Sequence, residues 1–196
     1  FQGPGWISIL VLGGMMVAAA AISARRTRPL PRAFGVSLAG IVLGGGGVIL
    51  IMTLLGVIDE AMTSLIPVGS MIIANAMNTN ALALERFRSD VAGNTGSVEA
   101  RLALGATTAV AVGPYVQSAV GAALIPRIDS LRSLGIVWIP GLMAGMILAG
   151  ADPVYAAIYQ FAVIAMIYAS SGLTAVVSIL LVRVHAFGEG GNVLVS

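Results

Sequence analysis

The sequence predicts an all-α integral membrane protein, a polytopic helical bundle with about five transmembrane helices. Of its 196 residues, 58% are hydrophobic and 9% are charged, whereas soluble domains carry about 25% charged residues. The mean hydropathy is +1.01. Uncharged stretches also reach the roughly 20 residues that a helix needs to cross about 30 Å of hydrocarbon. Such a chain has too little polar surface to cover a water-soluble globule.

The first three spans precede the polar part of the chain. Residues 6–24 and 34–58 carry no charge, and Trp6 stands where an interfacial aromatic anchor is expected. Residues 62–84 are also uncharged, although a proline and three asparagines interrupt them. Residues 85–101 then become polar and charged, which predicts a segment outside the membrane.

The last two spans are predicted at residues 134–150 and 155–182. Asp152 is expected as the N-cap of the last helix, and a cation entrance is the alternative. Residues 102–125 are equally uncharged, but the arginines argue against another span there. With five spans all ten arginines lie on one side, and arginine-rich short loops are cytoplasmic. We therefore expect residues 85–132 to form a cytoplasmic region, with 102–125 at the membrane interface. The C-terminus is expected to be cytoplasmic as well.

The first residues are expected to be foreign to the natural protein. Phe1-Gln2-Gly3-Pro4 matches what an engineered protease site leaves behind. Residues 1–5 are therefore set aside as a cloning scar, and residues 6–196 are treated as a single transmembrane domain. We expect the natural protein to begin upstream of Trp6.

The residue inventory excludes several kinds of chemistry. The ten basic residues are all arginine, so no lysine is available for a P-loop or a Schiff base. The absence of cysteine and the single histidine, His185, argue against thiolate metal sites, disulfides and histidine-rich metal cages. The arginines are too scattered to form a nucleic-acid surface. We expect neither enzymatic activity nor a cofactor in this chain.

Glycines at a spacing of four residues predict close packing of helices. Gly40 and Gly44 form one such pair, and Gly141 and Gly145 form another. Small residues at this spacing let helix backbones approach closely in lipid, where apolar burial gives no driving force. The alternative is that these glycines are hinge points for a conformational change.

Polar and sulfur-containing side chains within the spans are candidates for lining a pathway. Met71, Asn75 and Asn78 share one helix face, and Met143 and Met146 offer thioethers that suit a soft metal ion. Asparagine also joins helices by hydrogen bonds, and methionine often only packs, so both interpretations stay open. No carboxylate lies within a span, and the metal ligands are therefore unknown.

A short motif follows the third span. The residues Glu99, Ala100, Arg101 and Gly105 fit the pattern E-A-x-x-x-x-G. This pattern resembles the coupling helix of ABC transporter permeases, which inserts into a groove on the ATPase subunit. A glycine at its end gives the chain a sharp exit from the helix. The resemblance implies that these four residues couple the chain to an ATPase.

Three longer stretches, residues 66–77, 123–130 and 134–154, resemble the FetB-type ABC transporter permease family. That family includes iron exporters and plant aluminium-tolerance permeases. The resemblance is close over residues 66–182, whereas residues 6–65 agree only in hydropathy. Family members have further N-terminal spans, and they carry charges where residues 108–123 have none.

The resemblance implies a homodimeric permease that exports iron or another metal ion across the plasma membrane, the inner membrane of a bacterium. ATP and Mg²⁺ would then bind a separate ATPase partner, and lipid would surround the spans. Two alternatives remain open. The chain could be an ATP-independent channel or carrier, or a membrane scaffold that transports nothing.

Overall fold

The computed structural model describes residues 5–27, 30, 32–58, 62–134 and 139–185. Its helices are α1 (Gly5–Arg26), α2 (Ala33–Gly40), α3 (Gly47–Leu54), α4 (Met62–Gly93), α5 (Thr95–Ala103), α6 (Thr108–Ser133), α7 (Gly141–Leu148) and α8 (Pro153–His185). A π-helical segment, Ile41–Gly46, connects α2 directly to α3. The predicted all-α membrane fold is confirmed. Parts of the predicted cloning scar, fourth span and C-terminus, residues 1–4, 135–138 and 186–196, lie outside the described residues.

Four helical stretches within the described residues are long and apolar enough to cross a membrane. They are Trp6–Arg26, Ala33–Leu54, Thr108–Ser133 and Pro153–Val184. The 32-residue α4 is more polar because three asparagines interrupt it. It lies at the centre of the bundle, packed against α1, α6 and α8. This position removes its polar side chains from lipid, where they would be costly.

Two contacts show that α1 and α4 run parallel. The side chain of Leu12 lies against Gly69, and Asn80 Nδ2 donates a hydrogen bond of 2.7 Å to Ser23 Oγ. Asn80 and Ser23 are both fully buried, so this bond joins the two helices inside the bundle.

Helix α6 runs antiparallel to α4. Ser118 Oγ donates a hydrogen bond of 2.8 Å to Asp90 Oδ2 near one end of α4. Further along α6, Arg127 Nη1 donates to Asn75 Oδ1 in the middle of α4. The two helices therefore run side by side over several turns.

The end of the bundle that carries α5 is called the α5 end below. A cluster of buried apolar residues, called the basal cluster, fills it. Its larger members are Leu84, Phe87 and Val91 of α4, Val98 of α5, Val112 of α6, and Ile179 and Val182 of α8. At the opposite end, Asp152 Oδ1 accepts hydrogen bonds from the backbone N–H groups of Val154 and Tyr155 at 2.9 and 3.0 Å. This geometry confirms Asp152 as the N-cap of α8.

The structure differs from the sequence prediction in α6 and α7. Residues 102–125 were expected at the membrane interface, yet most of them belong to the 26-residue α6, which is about 39 Å long at 1.5 Å per residue. Residues 134–150 were expected to span, yet α7 has eight residues and a length of about 12 Å. The positive-inside argument counts every arginine as a loop residue. Arg127 instead lies beside Asn75, within the predicted third span.

Candidate functional site

Two cavities lie one helical turn apart along α4 and α8. The larger has a volume of about 620 Å³ and lies toward the opposite end from α5, where Pro67, Tyr159 and Met146 are among its lining residues. The smaller has a volume of about 70 Å³ and lies nearer to the α5 end. Both helices contribute successive turns to both cavities, so the cavities form a row. Further toward the α5 end, α4, α6 and α8 carry the basal cluster.

The smaller cavity combines a guanidinium group with two amides. It is lined by Met71, Asn75, Arg127, Ser130, Gln160, Ile164, Ile167 and Tyr168. Asn75 accepts the hydrogen bond from Arg127 and donates one of 2.7 Å from Nδ2 to the backbone oxygen of Met71. These two bonds hold the Asn75 amide in one orientation. The amide therefore presents its oxygen to Arg127.

Two polar groups at this cavity lack hydrogen-bond partners among the residues that the structure describes. The Gln160 side chain is 1% exposed, and neither its amide nitrogen nor its amide oxygen has a hydrogen-bond partner. Arg127 Nε is also buried without a partner. The ion pair between Arg86 and Asp90 lies outside this cavity. Within the described ranges, no carboxylate pairs with Arg127.

The predicted pathway residues separate into three groups. Met71 and Asn75 line the smaller cavity, and Met146 lines the larger one. Asn78 and Met143 are half-buried and line neither of these two cavities. These five predicted residues therefore do not converge on one point. No group of three His, Cys, Asp or Glu side chains that could hold a metal ion occurs in the part of the chain that the structure describes.

Arg127 and Gln160 are functional candidates that the sequence analysis missed. The sequence does single out Gln160, because it is an amide within a long uncharged stretch. Polar residues in such stretches are functional candidates by default. Arg127 follows Pro126 and was assigned to the cytoplasmic region by charge alone. Its contact with Asn75 depends on the antiparallel packing of α4 and α6, which hydropathy does not reveal.

The coupling motif forms a separate helix at the α5 end. Val98 is fully buried in the basal cluster, and Arg101 Nη1 donates a hydrogen bond of 3.2 Å to the backbone oxygen of Ala111. Glu99 and Ala100 are exposed. Gly105 follows with a φ of 87°, a left-handed conformation that favours glycine. The helix is thus anchored on one face, and its other face is accessible from outside the bundle.

The two glycine pairs differ in their surroundings. A Cβ atom added at Gly40 would overlap Ser178 Oγ, and one added at Gly44 would lie 2.8 Å from Thr174 Cα. These two glycines therefore permit close contact between α8 and the continuous helical rod formed by α2, the π-helical segment and α3. A Cβ added at Gly141 or Gly145 would meet no atom within 4 Å. The second pair is exposed in the single chain and packs no helix of the described part.

Comparisons with known proteins place the chain in a family. The model of the uncharacterised protein family UPF0014 matches residues 1–187. The UPF0014 membrane protein slr1647 of Synechocystis sp. is 32% identical over 97% of this chain and 75% of its own length. The probable iron export permease protein FetB of Escherichia coli is 32% identical over 79% of this chain and 60% of its own length.

A plant protein is similarly related. The protein ALUMINUM SENSITIVE 3 of Arabidopsis thaliana is 32% identical over 90% of this chain and 64% of its own length. The chain thus spans between 60% and 75% of the length of these three relatives. No solved structure matches it. The predicted resemblance is confirmed, and the chain belongs to the UPF0014 family of membrane proteins, which includes the FetB permease and its plant relatives.

Proposed function

We propose that this chain is the membrane-spanning permease subunit of an ATP-driven exporter that works with a separate ATPase. The observation that carries the proposal is α5, a short helix anchored at one end of the bundle with an accessible outer face. An ATPase that changes shape on ATP binding needs such a rigid element to move the spans. The name of the FetB relative, probable iron export permease protein, supports transport as the activity.

The anchoring of α5 suits it to transmit movement. Val98 is fully buried among residues of α4 and α6, and the Arg101 guanidinium holds α5 to the first turn of α6. A push on the exposed Glu99 face would therefore move α4 and α6, which line the smaller cavity. Close-packed interiors transmit such displacements because they have low compressibility.

The row of cavities supplies the second argument. It extends from the end opposite α5 to the middle of the bundle, and the basal cluster closes it toward α5. A transported molecule would reach Arg127 and Gln160 from one side and leave only after the helices move apart. On this proposal α5 and the C-terminus face the cytoplasm, and two copies of the chain form a dimer around the pathway. The relatives' names suggest iron or another metal as cargo.

The test measures ATP turnover of the complete transporter. The full-length protein would be purified with its bound ATPase and reconstituted in liposomes. Replacing Glu99 with Arg reverses the charge on the exposed face of α5 and should lower ATP turnover about tenfold, through loss of charge complementarity. The matched control is Glu85→Arg, an exposed acidic residue on α4, which should leave turnover within about twofold of the wild type.

Failure to recover any ATPase with the full-length protein would contradict the proposal and favour an ATP-independent channel or carrier. Transport by liposomes that contain this protein alone would also favour that alternative. A protein that binds no ATPase and transports nothing would match the scaffold interpretation.

A further inference from the structure

The strongest unexplained feature of the molecule is a positive charge in the middle of the bundle. Arg127 uses Nη1 for Asn75, while its Nε is buried and has no partner. A guanidinium carries five N–H donors in a planar fork that fits carboxylate and phosphate oxygens. Arg127 as a whole is half-buried. Because buried polar atoms are normally paired, its buried Nε, with no acidic partner among the described residues, indicates a missing anion.

Gln160 is an independent second observation. It is almost completely buried, it lines the same cavity, and both of its amide atoms lack partners in the described part of the chain. Buried polar groups in folded proteins are hydrogen-bonded in the great majority of cases. The Gln160 amide nitrogen is a further donor that faces the cavity of Arg127. An oxygen-rich ligand between the two side chains would satisfy both.

The remaining surroundings fit an anion better than a bare cation. Asn75 is engaged by Arg127 and by the Met71 backbone oxygen, and the Ser130 hydroxyl donates to the backbone oxygen of Pro126. The other lining residues are apolar or aromatic. The cavity of about 70 Å³ is roughly twice the volume of about 30 Å³ that one water occupies in the liquid. It can hold one small oxyanion group. A divalent cation would meet a guanidinium and no carboxylate of the described residues.

We propose that the cavity between Arg127 and Gln160 binds an oxyanion group, either a carboxylate or a phosphate, of the molecule that passes through the pathway. A metal ion would then travel as an anionic chelate and not as a bare cation. The inference rests on the proposed function only in placing the cavity on a transport path. Oxyanion binding itself requires no ATPase and can be measured without one.

The experiment uses the purified protein in nanodiscs of phosphatidylcholine, titrated calorimetrically with inorganic phosphate, with citrate and with iron(II) chloride at constant chloride concentration. The wild type should bind phosphate or citrate saturably and should not bind iron(II) alone. Arg127→Gln should weaken this binding about a hundredfold, whereas Arg127→Lys retains the charge and should weaken it about tenfold. Arg132→Gln is the matched control, since Arg132 is an exposed arginine on the same helix, and should bind like the wild type.

Gln160→Met keeps the test decisive if Arg127→Gln fails to fold. Methionine has a similar volume and needs no hydrogen bond, so the unliganded variant should be at least as thermally stable as the wild type. Its affinity for phosphate or citrate should nevertheless fall about tenfold. A loss of stability with unchanged affinity would show that Gln160 is structural and would overturn the proposal.

A second lipid composition distinguishes a free oxyanion from the phosphate group of a lipid. Competition by phosphatidylglycerol nanodiscs that disappears in Arg127→Gln would identify a lipid phosphate at the same site. Equal binding of phosphate and citrate by wild type and Arg127→Gln would overturn the proposal. Saturable binding of iron(II) chloride that Arg127→Gln leaves unchanged would also overturn it. A dimer that depends on Arg127 and binds no oxyanion would do the same, because a carboxylate of the partner subunit would then pair with Arg127. Coupling through α5 could still hold in each of these cases.

Discussion

The asparagines of α4 have different tasks, although they lie within two turns of one another. Asn80 is buried and bonds to Ser23 of α1, which makes it a structural link between helices. Asn75 orients its oxygen toward Arg127 at the smaller cavity. Asn78 is half-buried and lines neither cavity described above. A shared residue type therefore does not indicate a shared role.

Asn80→Ala should lower the stability of the protein and leave ligand binding unchanged. It removes an interhelical hydrogen bond, which contributes about 0.6 kcal/mol on average and about 1.7 kcal/mol at most within membranes. Thermal unfolding in detergent measures the loss, and Asn78→Ala is the control with the smaller expected effect. An Asn80→Ala variant that is as stable as the wild type but no longer binds citrate would contradict this assignment.

Asn75→Asp should weaken oxyanion binding without unfolding the protein. The new carboxylate would lie where the Asn75 amide now accepts the hydrogen bond from Arg127, so it would pair with the guanidinium and occupy the site internally. Affinity for citrate in calorimetry should fall about tenfold or more. Unaltered citrate affinity in this variant would mean that the ligand does not meet Arg127.

At the scale of the element, the rod formed by α2, the π-helical segment and α3 depends on close contact with α8. Gly40 and Gly44 lie against Ser178 and Thr174. π-Helical turns are rare and are often found at functional sites. Here the π-helical segment brings a glycine directly against the backbone of the opposing helix.

Gly44→Ala should destabilise the protein, whereas Gly47→Ala should not. An added Cβ at Gly44 would meet backbone atoms of Thr174, which cannot move aside as a flexible side chain can, while one at Gly47 would meet nothing within 4 Å. Overpacking typically costs about 1–3 kcal/mol, and Gly→Ala at an unstrained helix position gains about 0.4–1 kcal/mol. Thermal unfolding of both variants measures the difference. Equal stability would show that the rod and α8 can separate at no cost.

At the scale of the whole molecule, length, composition and helix direction make α6, and not residues 134–150, the candidate for the fourth crossing. Helix α6 starts at the α5 end and passes Asn75, and α7 lies beside the larger cavity at the other end. If α6 crosses the membrane in place of residues 134–150, the number of crossings stays the same. For that reason the C-terminal end of α8 still lies at the α5 end, as the sequence predicts.

Cysteine labelling of intact vesicles tests this arrangement, and the cysteine-free chain provides a clean background. Leu104 and Leu148 are each 89% exposed and lie near opposite ends of the bundle. Leu104→Cys and Leu148→Cys should therefore react with an impermeant maleimide from opposite sides. The decisive variant is Arg132→Cys, which should react from the same side as Leu148→Cys. Reaction from the side of Leu104→Cys would restore the interface placement of residues 102–125.

Much of the fold could be predicted because hydropathy reports on helix length directly. The α1 and α8 spans, the Asp152 cap and the α5 motif all follow from local sequence patterns. Asn75 was found because a polar residue stands out in an apolar stretch. Arg127 was not, since its position depends on a partner 52 residues away in the chain. Local patterns do not reveal which helices meet.

The basal cluster also has an electrical consequence. The cavities would admit the solution of one side as far as Arg127, while the apolar cluster toward the α5 end excludes it. The membrane potential would then fall mainly across that cluster, and not evenly over the bilayer. Each unit of net charge that passes the cluster would involve electrical work of about 2.3 kcal/mol per 100 mV. The electrical potential at an anion bound to Arg127 would therefore be nearly that of the solution from which the anion entered.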